Sequence, residues 1–264
     1  MPLEQIFVLS LIQGLTEFIP VSSSAHLLLV STLCGWKDQG LIMDVAAHFG
    51  TLGSVLVYFR ADVISLFQGF FSLLKGKKTL KTDLFLNLVI ATIPVVFLGT
   101  VFDMLIGDAF RGMMVIAWMS IIFGVLLYIA DRYGAQKEKV SDTTLRRALY
   151  FGLGQCLSLI NGVSRSGSCI MVGRFLNYTR QEAAHFAFLM AIPTMIAACT
   201  LKGYQLFKNN DFSLLNDAAL MAGLSFVFGF CTISFMMNWL KSATFTPFVI
   251  YRILLGLTLL ASTF

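Results

Sequence analysis

The chain is 264 residues long, 57% apolar and only 12% charged, with 25 phenylalanines and a mean hydropathy of +0.81. Soluble domains carry roughly 25% charged residues, so a soluble globule, a disordered chain and a secreted disulfide scaffold are all poor readings. The composition is that of an integral membrane protein, and the net charge of +5 acquires meaning only once it is located.

The first region, residues 3–34, is apolar but is interrupted by Pro20, Val21, Ser22, Ser23 and Ser24. Its opening residues Met1, Pro2, Leu3 and Glu4 lack the basic stretch of a cleavable signal, and none is expected. Three runs follow, 42–59, 84–106 and 113–130, each apolar enough to cross a bilayer, which takes about 17–25 residues. After a polar stretch at 131–147, residues 148–176 form a second interrupted region, broken by Gly162, Val163, Ser164, Arg165, Ser166 and Gly167. Runs 183–201, 218–240 and 248–263 complete the chain. Neither half of an interrupted region can span alone. Non-helical backbone at membrane depth survives only inside protein or against a water-filled cavity. The pattern predicts an all-α membrane protein with six transmembrane helices and two re-entrant helical hairpins.

Basic residues test that topology. It places thirteen of the nineteen, including Arg60, Lys75, Lys77, Lys78, Lys81, Arg174 and Arg180, on one face, against Lys37, Arg111, Lys202 and Lys208 on the other. The positive-inside rule makes the first face cytoplasmic and puts both termini outside. The charge is then mostly loop charge, and nucleic acid need not be invoked. The lysines at 75–81 are expected to meet lipid headgroups.

The two interrupted regions resemble each other. A shift of 142 residues pairs Gln13 with Gln155, Val21 with Val163, Ser22 with Ser164 and Ser24 with Ser166; the Ala-Ala-His-Phe at 46–49 recurs at 183–186. Each half holds one hairpin and three spans. Three is odd, so the halves face opposite ways: an inverted-topology repeat, whose broken helices meet at a midplane site. The expected organisation is one membrane domain, with repeats at 1–131 and 148–264 and a cytoplasmic linker at 132–147.

Glu17 lies in the apolar zone, where a carboxylate costs roughly 3 kcal/mol, and Gln13, four residues earlier, shares its helix face. Pro20 ends that helix, and Ser22, Ser23 and Ser24 offer hydroxyls and backbone N–H groups to the next. His26 follows one turn later. Arg165, between Ser164 and Ser166, opens another short helix. Its planar donor fork suits phosphate or carboxylate, and two helix N-termini favour an anion. Glu17 and Arg165 could simply form an ion pair joining the hairpins. The serines, the histidine and two helix N-termini exceed what one ion pair needs, and they point to phosphate or diphosphate. His48 and His185 read as packing or interhelical hydrogen-bond residues and Asp44 as interfacial. Arg252 either snorkels to an interface or adds a cation to the pocket. Cys34, Cys156, Cys169, Cys199 and Cys231 offer neither a disulfide framework nor metal-ligand spacing.

The stretches GLTEFIPVSSSAH (14–26) and GVSRSG (162–167) resemble the paired signature motifs of the bacterial undecaprenyl-diphosphate phosphatase family, associated with bacitracin resistance. The resemblance covers essentially the whole chain, including PFVIYR (247–252). It implies hydrolysis of a polyprenyl diphosphate to its monophosphate, recycling the lipid carrier of peptidoglycan synthesis. It also implies an inner-membrane location, a site open to the periplasm and a divalent cation, Mg²⁺ or Ca²⁺. Carried over by motif, Glu17, Ser23, His26 and Arg165 are the catalytic candidates, and Glu17 is also the metal-ligand candidate. Gln13, Ser22, Ser24, Ser164, Ser166 and Arg252 are the substrate-binding candidates. Gln13 stands where many members have a second glutamate, Cys169 where some have threonine, and Ala25 where glycine is usual. The nucleophile is left open between Ser23 or a neighbour activated by His26 or Glu17, His26 itself, and water, with a histidine-assisted serine favoured. The rival class is a polyprenyl-phosphate flippase using the same site. The expected partners are the lipid substrate and the bilayer; a homodimer is neither required nor excluded.

Overall fold

A computed structural model describes residues 1–37, 39–105, 110, 112–209 and 214–262. Among them are eleven α-helices: α1 (Leu3–Phe18), α2 (Ser23–Leu33), α3 (Leu41–Tyr58), α4 (Arg60–Leu74), α5 (Leu80–Leu105), α6 (Met113–Tyr133), α7 (Leu145–Cys156), α8 (Arg165–Phe175), α9 (Arg180–Asn209), α10 (Leu215–Trp239) and α11 (Thr246–Ser262). The described residues contain no strand. The chain is an all-helical integral membrane protein.

Five helices, α3, α5, α6, α9 and α10, are long and apolar enough to cross a membrane. The sixth expected run, 248–263, falls on α11, which is apolar but only 17 residues long. Residues 106 and 263, at the ends of two expected runs, and Arg111, counted among the basic residues, lie outside the described residues. The run 42–59 becomes α3, and the chain then turns at Phe59 (φ −95°, ψ 31°) directly into α4, a helix the hydropathy pattern did not announce. Of α4 only Gly69 is buried; a β-carbon there would lie 2.1 Å from the Lys81 carbonyl oxygen of α5.

Helices from the two halves interleave. In the interior α10 packs on α3 and α1, α7 on α5, α9 on α3, and α11 on α6. Small residues set these approaches, since without a hydrophobic drive between helices in lipid, close backbone packing holds them. A β-carbon on Gly14 of α1 would lie 2.4 Å from the Phe228 β-carbon, and one on Gly50 of α3 2.2 Å from the Ala222 carbonyl oxygen, both on α10. The largest buried cluster draws on α1, α3 and α5 to α11, with Phe18 and Phe188 edge to face at 5.4 Å. Phe7, Phe97, Trp118 and Phe235 stay exposed on the outside, as lipid-facing positions require.

The polar stretch 132–147 is tied down. The backbone N–H groups of Lys137 and Glu138 donate to the Asn177 carbonyl, and that of Val140 donates to the Glu182 carboxylate. Beside it sits a charge cluster that loop counting assigned to the cytoplasmic face. Arg174, fully buried, donates to Asp131 at 3.2 Å and to the Asp131, Gly134 and Tyr178 carbonyls. Asp131 also accepts from Arg180 at 2.7 Å and from the Phe245 N–H. One carboxylate thus joins α6, α8, α9 and the start of α11.

Removing one partner of a buried ion pair costs about 3–5 kcal/mol, whereas exposed pairs contribute about 0–1 kcal/mol. Asp131→Ala should therefore lower the melting temperature in detergent markedly, and Glu138→Ala, which breaks the half-exposed pair with Arg147, far less. Equal shifts would show that Asp131 does not hold these helices.

Candidate anion site at two helix breaks

Helix α1 stops where the sequence says it must. Ile19, preceding Pro20, is extended (ψ 137°), the conformation that a following proline ring imposes. The chain re-enters helix at Ser23 through Ser22, whose φ is +78°. In the second half, α7 gives way to a short 3-10 turn, and α8 begins at Arg165 through Ser164, whose φ is +75°. Ser22 and Ser164 are the pair related by 142 residues, and both hold a left-handed backbone that costs a non-glycine residue about 1–3 kcal/mol. Ser164 gains by accepting the Gly167 N–H at 3.1 Å.

Arg252 joins the breaks. Its guanidinium, fully buried, donates to the carbonyls of Pro20 (3.0 Å), Gly162 (2.8 Å), Met119 (3.3 Å) and Ser120 (3.3 Å). It neither snorkels to an interface nor lines the cavity described next. The group is satisfied by one carbonyl from each break, Pro20 and Gly162, and by two from α6, Met119 and Ser120.

The two breaks border one cavity of about 420 Å³. Glu17, Ser22, Ser23, Ser24, Ser164 and Arg165 all line it. Arg165 pairs with Glu17 at 3.1 Å and also donates to the Ala187 carbonyl at 3.3 Å. The other Glu17 oxygen accepts from the Ser23 hydroxyl at 2.6 Å and from the Gln13 amide at 3.2 Å. Gln13 is fully buried and does not line the cavity, and its amide oxygen has no hydrogen-bond partner among the described residues; the same holds for Arg165 Nε. Ser166, 1% exposed, lies behind the lining and contacts Ser164 Oγ and the Ile19 carbonyl. His26 also lies off the cavity, between the Ser22 carbonyl and Tyr251. A His26-assisted Ser23 therefore has no support in this geometry, because the hydroxyl already faces Glu17.

Sequence reasoning passed over part of the lining. Gln39, Asp44, His48, Asn161, Thr194 and Lys202 face the same cavity. Gln39 donates to Asp44 at 2.7 Å, and His48 Nδ1 meets the Asp44 carbonyl at 2.8 Å. Asp44 and His48 were set aside as interfacial and packing residues. The signal available for Lys202 was that the helical, largely apolar stretch from 180 continues past it.

Chemically, the cavity brings together two helix N-termini, the Arg165 guanidinium, the Lys202 ammonium, several hydroxyls and two carboxylates, Glu17 and Asp44. Dipole ends and a planar donor fork favour an oxygen-rich anion. Ser24 is exposed and Lys202 partly so; in a background lacking the five native cysteines, Ser24→Cys and Lys202→Cys should therefore react with a hydrophilic maleimide. Ser166→Cys should remain unlabelled until denaturation. Rapid labelling at 166 would contradict the packing of the second break.

Residues 6–258 match the family model described as bacitracin resistance protein BacA. The chain is 44% identical over 262 residues to the undecaprenyl-diphosphatases of Jannaschia sp. and Ruegeria pomeroyi, covering 98% of each sequence. It is 42% identical over 261 residues to that of Campylobacter curvus, again with 98% coverage of both. With both motifs inside that match and their residues around one cavity, this chain belongs to the bacitracin resistance protein family.

Proposed function

We propose that this chain is an undecaprenyl-diphosphatase of the bacterial inner membrane, releasing the terminal phosphate of the lipid diphosphate and returning the monophosphate to peptidoglycan synthesis. The observation that carries the reading is the Ser23–Glu17–Arg165 arrangement at the meeting of two helix N-termini, in a chain 44% identical to named undecaprenyl-diphosphatases. The diphosphate sits in the cavity, and the prenyl chain leaves along the apolar wall of Leu27, Leu28, Val95 and Phe102.

The architecture in this reading is an inverted repeat with units at 1–131 and 148–264, joined by 132–147. The pairs α1–α2 and α7–α8 are re-entrant hairpins, and α11 is a sixth, short span. Three features support it: the matched left-handed serines, the reciprocal packing of α1 on α10 and α7 on α5, and the pairings of α3 with α9 and α6 with α11. Loop charge turns the cavity toward the periplasm.

Arriving phosphoryl oxygens draw Arg165 away from Glu17, which frees that carboxylate to accept the Ser23 proton. Ser23 Oγ attacks the terminal phosphorus; the bond from that phosphorus to the bridging oxygen breaks, and the polyprenyl monophosphate departs with the electron pair. Water then attacks the phosphoserine; the bond from phosphorus to the Ser23 oxygen breaks, that oxygen takes back the proton held by Glu17, and inorganic phosphate leaves with the protons of the water. Arg165 and the amides opening α2 and α8 stabilise the charge spread over the transferred oxygens, the main demand of phosphoryl transfer. The Glu17 carboxylate and the unpartnered Gln13 amide oxygen are hard oxygen donors that fit Mg²⁺ or Ca²⁺. Among the described residues no three His, Cys, Asp or Glu residues cluster as a metal cage; substrate oxygens and water would complete the shell. Bound there, the ion supplies charge neutralisation to the diphosphate.

Purified protein in detergent, given polyprenyl diphosphate and Mg²⁺, should release phosphate, and Arg165→Ala should reduce kcat by about 10²–10³. Ser23→Ala should be as inactive. Detergent has no leaflets, so an inert wild type would favour lipid transport over hydrolysis. In intact cells Lys37→Cys should be modified by an impermeant reagent and Lys78→Cys protected; the reverse pattern would invert the topology.

A further inference from the structure

His26 lies one turn into α2, 9% exposed, among residues that line the cavity without lining it itself. Its Nδ1 is 2.7 Å from the Ser22 carbonyl oxygen, which can only accept, so Nδ1 carries the hydrogen. In the neutral ring Nε2 is then the bare nitrogen, to which the Tyr251 hydroxyl, 2.6 Å away, donates. The two rings stack at 5.6 Å with 19° between their planes. Both ring nitrogens are thereby engaged, Nδ1 by the Ser22 backbone and Nε2 by Tyr251.

The Ser22 carbonyl is where the break turns into helix. It accepts the His26 backbone N–H at 3.3 Å as the first bond of α2 and the His26 ring as a second donor. Ser22 holds φ +78°, and such a conformation persists only when its surroundings over-determine it. The next residue is Ser23, whose hydroxyl must stay within reach of Glu17. In the second break the position 142 residues on is Ser168, whose hydroxyl donates to the Arg165 carbonyl at 3.0 Å. There a short side chain steadies the first turn of α8. The imidazole and its tyrosine brace the break that carries Ser23.

We propose that His26 is a positioning residue, locked by Tyr251, which clamps the Ser22 carbonyl and so fixes the Ser23 hydroxyl on Glu17, transferring no proton in the reaction. Tyr251 is the outer half of this strut, reaching from α11 across to α2.

The inference rests on the hydrolase reading. His26→Asn places an amide N–H close to where Nδ1 stood, but removes any group able to shuttle a proton at neutral pH. His26→Ala, letting Ser23 drift, should lose about 10²-fold in kcat, whereas His26→Asn should lose no more than about ten-fold. KM for the lipid diphosphate should stay near wild type in both. Tyr251→Phe, which deletes the second anchor alone, should lower kcat several-fold at unchanged KM. Equal inactivity of His26→Asn and His26→Ala, both folded by thermal melting, would make His26 the proton carrier and overturn the proposal. If His26→Asn does not fold, Tyr251→Phe decides, and wild-type kcat in that variant overturns it as well. A wild-type protein that releases no phosphate defeats the hydrolase reading instead, so the two failures are told apart.

Discussion

Four backbone carbonyls, from Pro20, Gly162, Met119 and Ser120, converge on one fully buried guanidinium, that of Arg252. Two of them come from the interruptions of the two broken helices. A carbonyl freed by a helix break costs several kcal/mol in an apolar interior unless something donates to it. Arg252 meets that need for both halves at once, and so it holds the breaks side by side. The shared cavity exists because these backbone groups have a common donor.

Once the breaks are adjacent, the charges on their rims are forced together. Glu17 and Arg165 come from opposite halves and meet at 3.1 Å. An ion pair this secluded returns little net stability, but it leaves a carboxylate and a guanidinium poised beside hydroxyls and helix N-termini. The second buried cluster, Asp131 with Arg174 and Arg180, does not line that cavity. It lies beside the tied-down 132–147 stretch, its donors go to carbonyls and to one another's partner, and it serves to join helices. Similar side chains thus take different work according to whether a cavity reaches them.

Much was legible from residue order. The apolar runs marked the long helices because bilayer thickness demands them. Pro20 marked the end of α1 because its ring rejects a helical predecessor. The 142-residue shift paired Ser22 with Ser164, and both proved to hold the same left-handed turn. Glu17, Arg165 and the serines were legible as a group, since charge in an apolar zone needs a partner. The turn at Phe59 that creates α4 was hidden, because hydropathy averages over a window and does not register one residue leaving the helical region. Asp44, His48 and Lys202 were passed over because each, read alone, has an ordinary structural use.

Composition and periodicity established a helical membrane protein with two interrupted segments and an anion-seeking pair of motifs, because those properties depend on what each residue is and on neighbours a few positions away. Direction was beyond them. Whether Arg252 reaches outward, into the cavity or onto backbone carbonyls depends on residues 90 to 232 positions distant. Whether His26 or Glu17 faces the Ser23 hydroxyl depends on Tyr251, supplied by the last helix. Such orientation arises when remote segments pack, and pattern along the chain carries no measure of it.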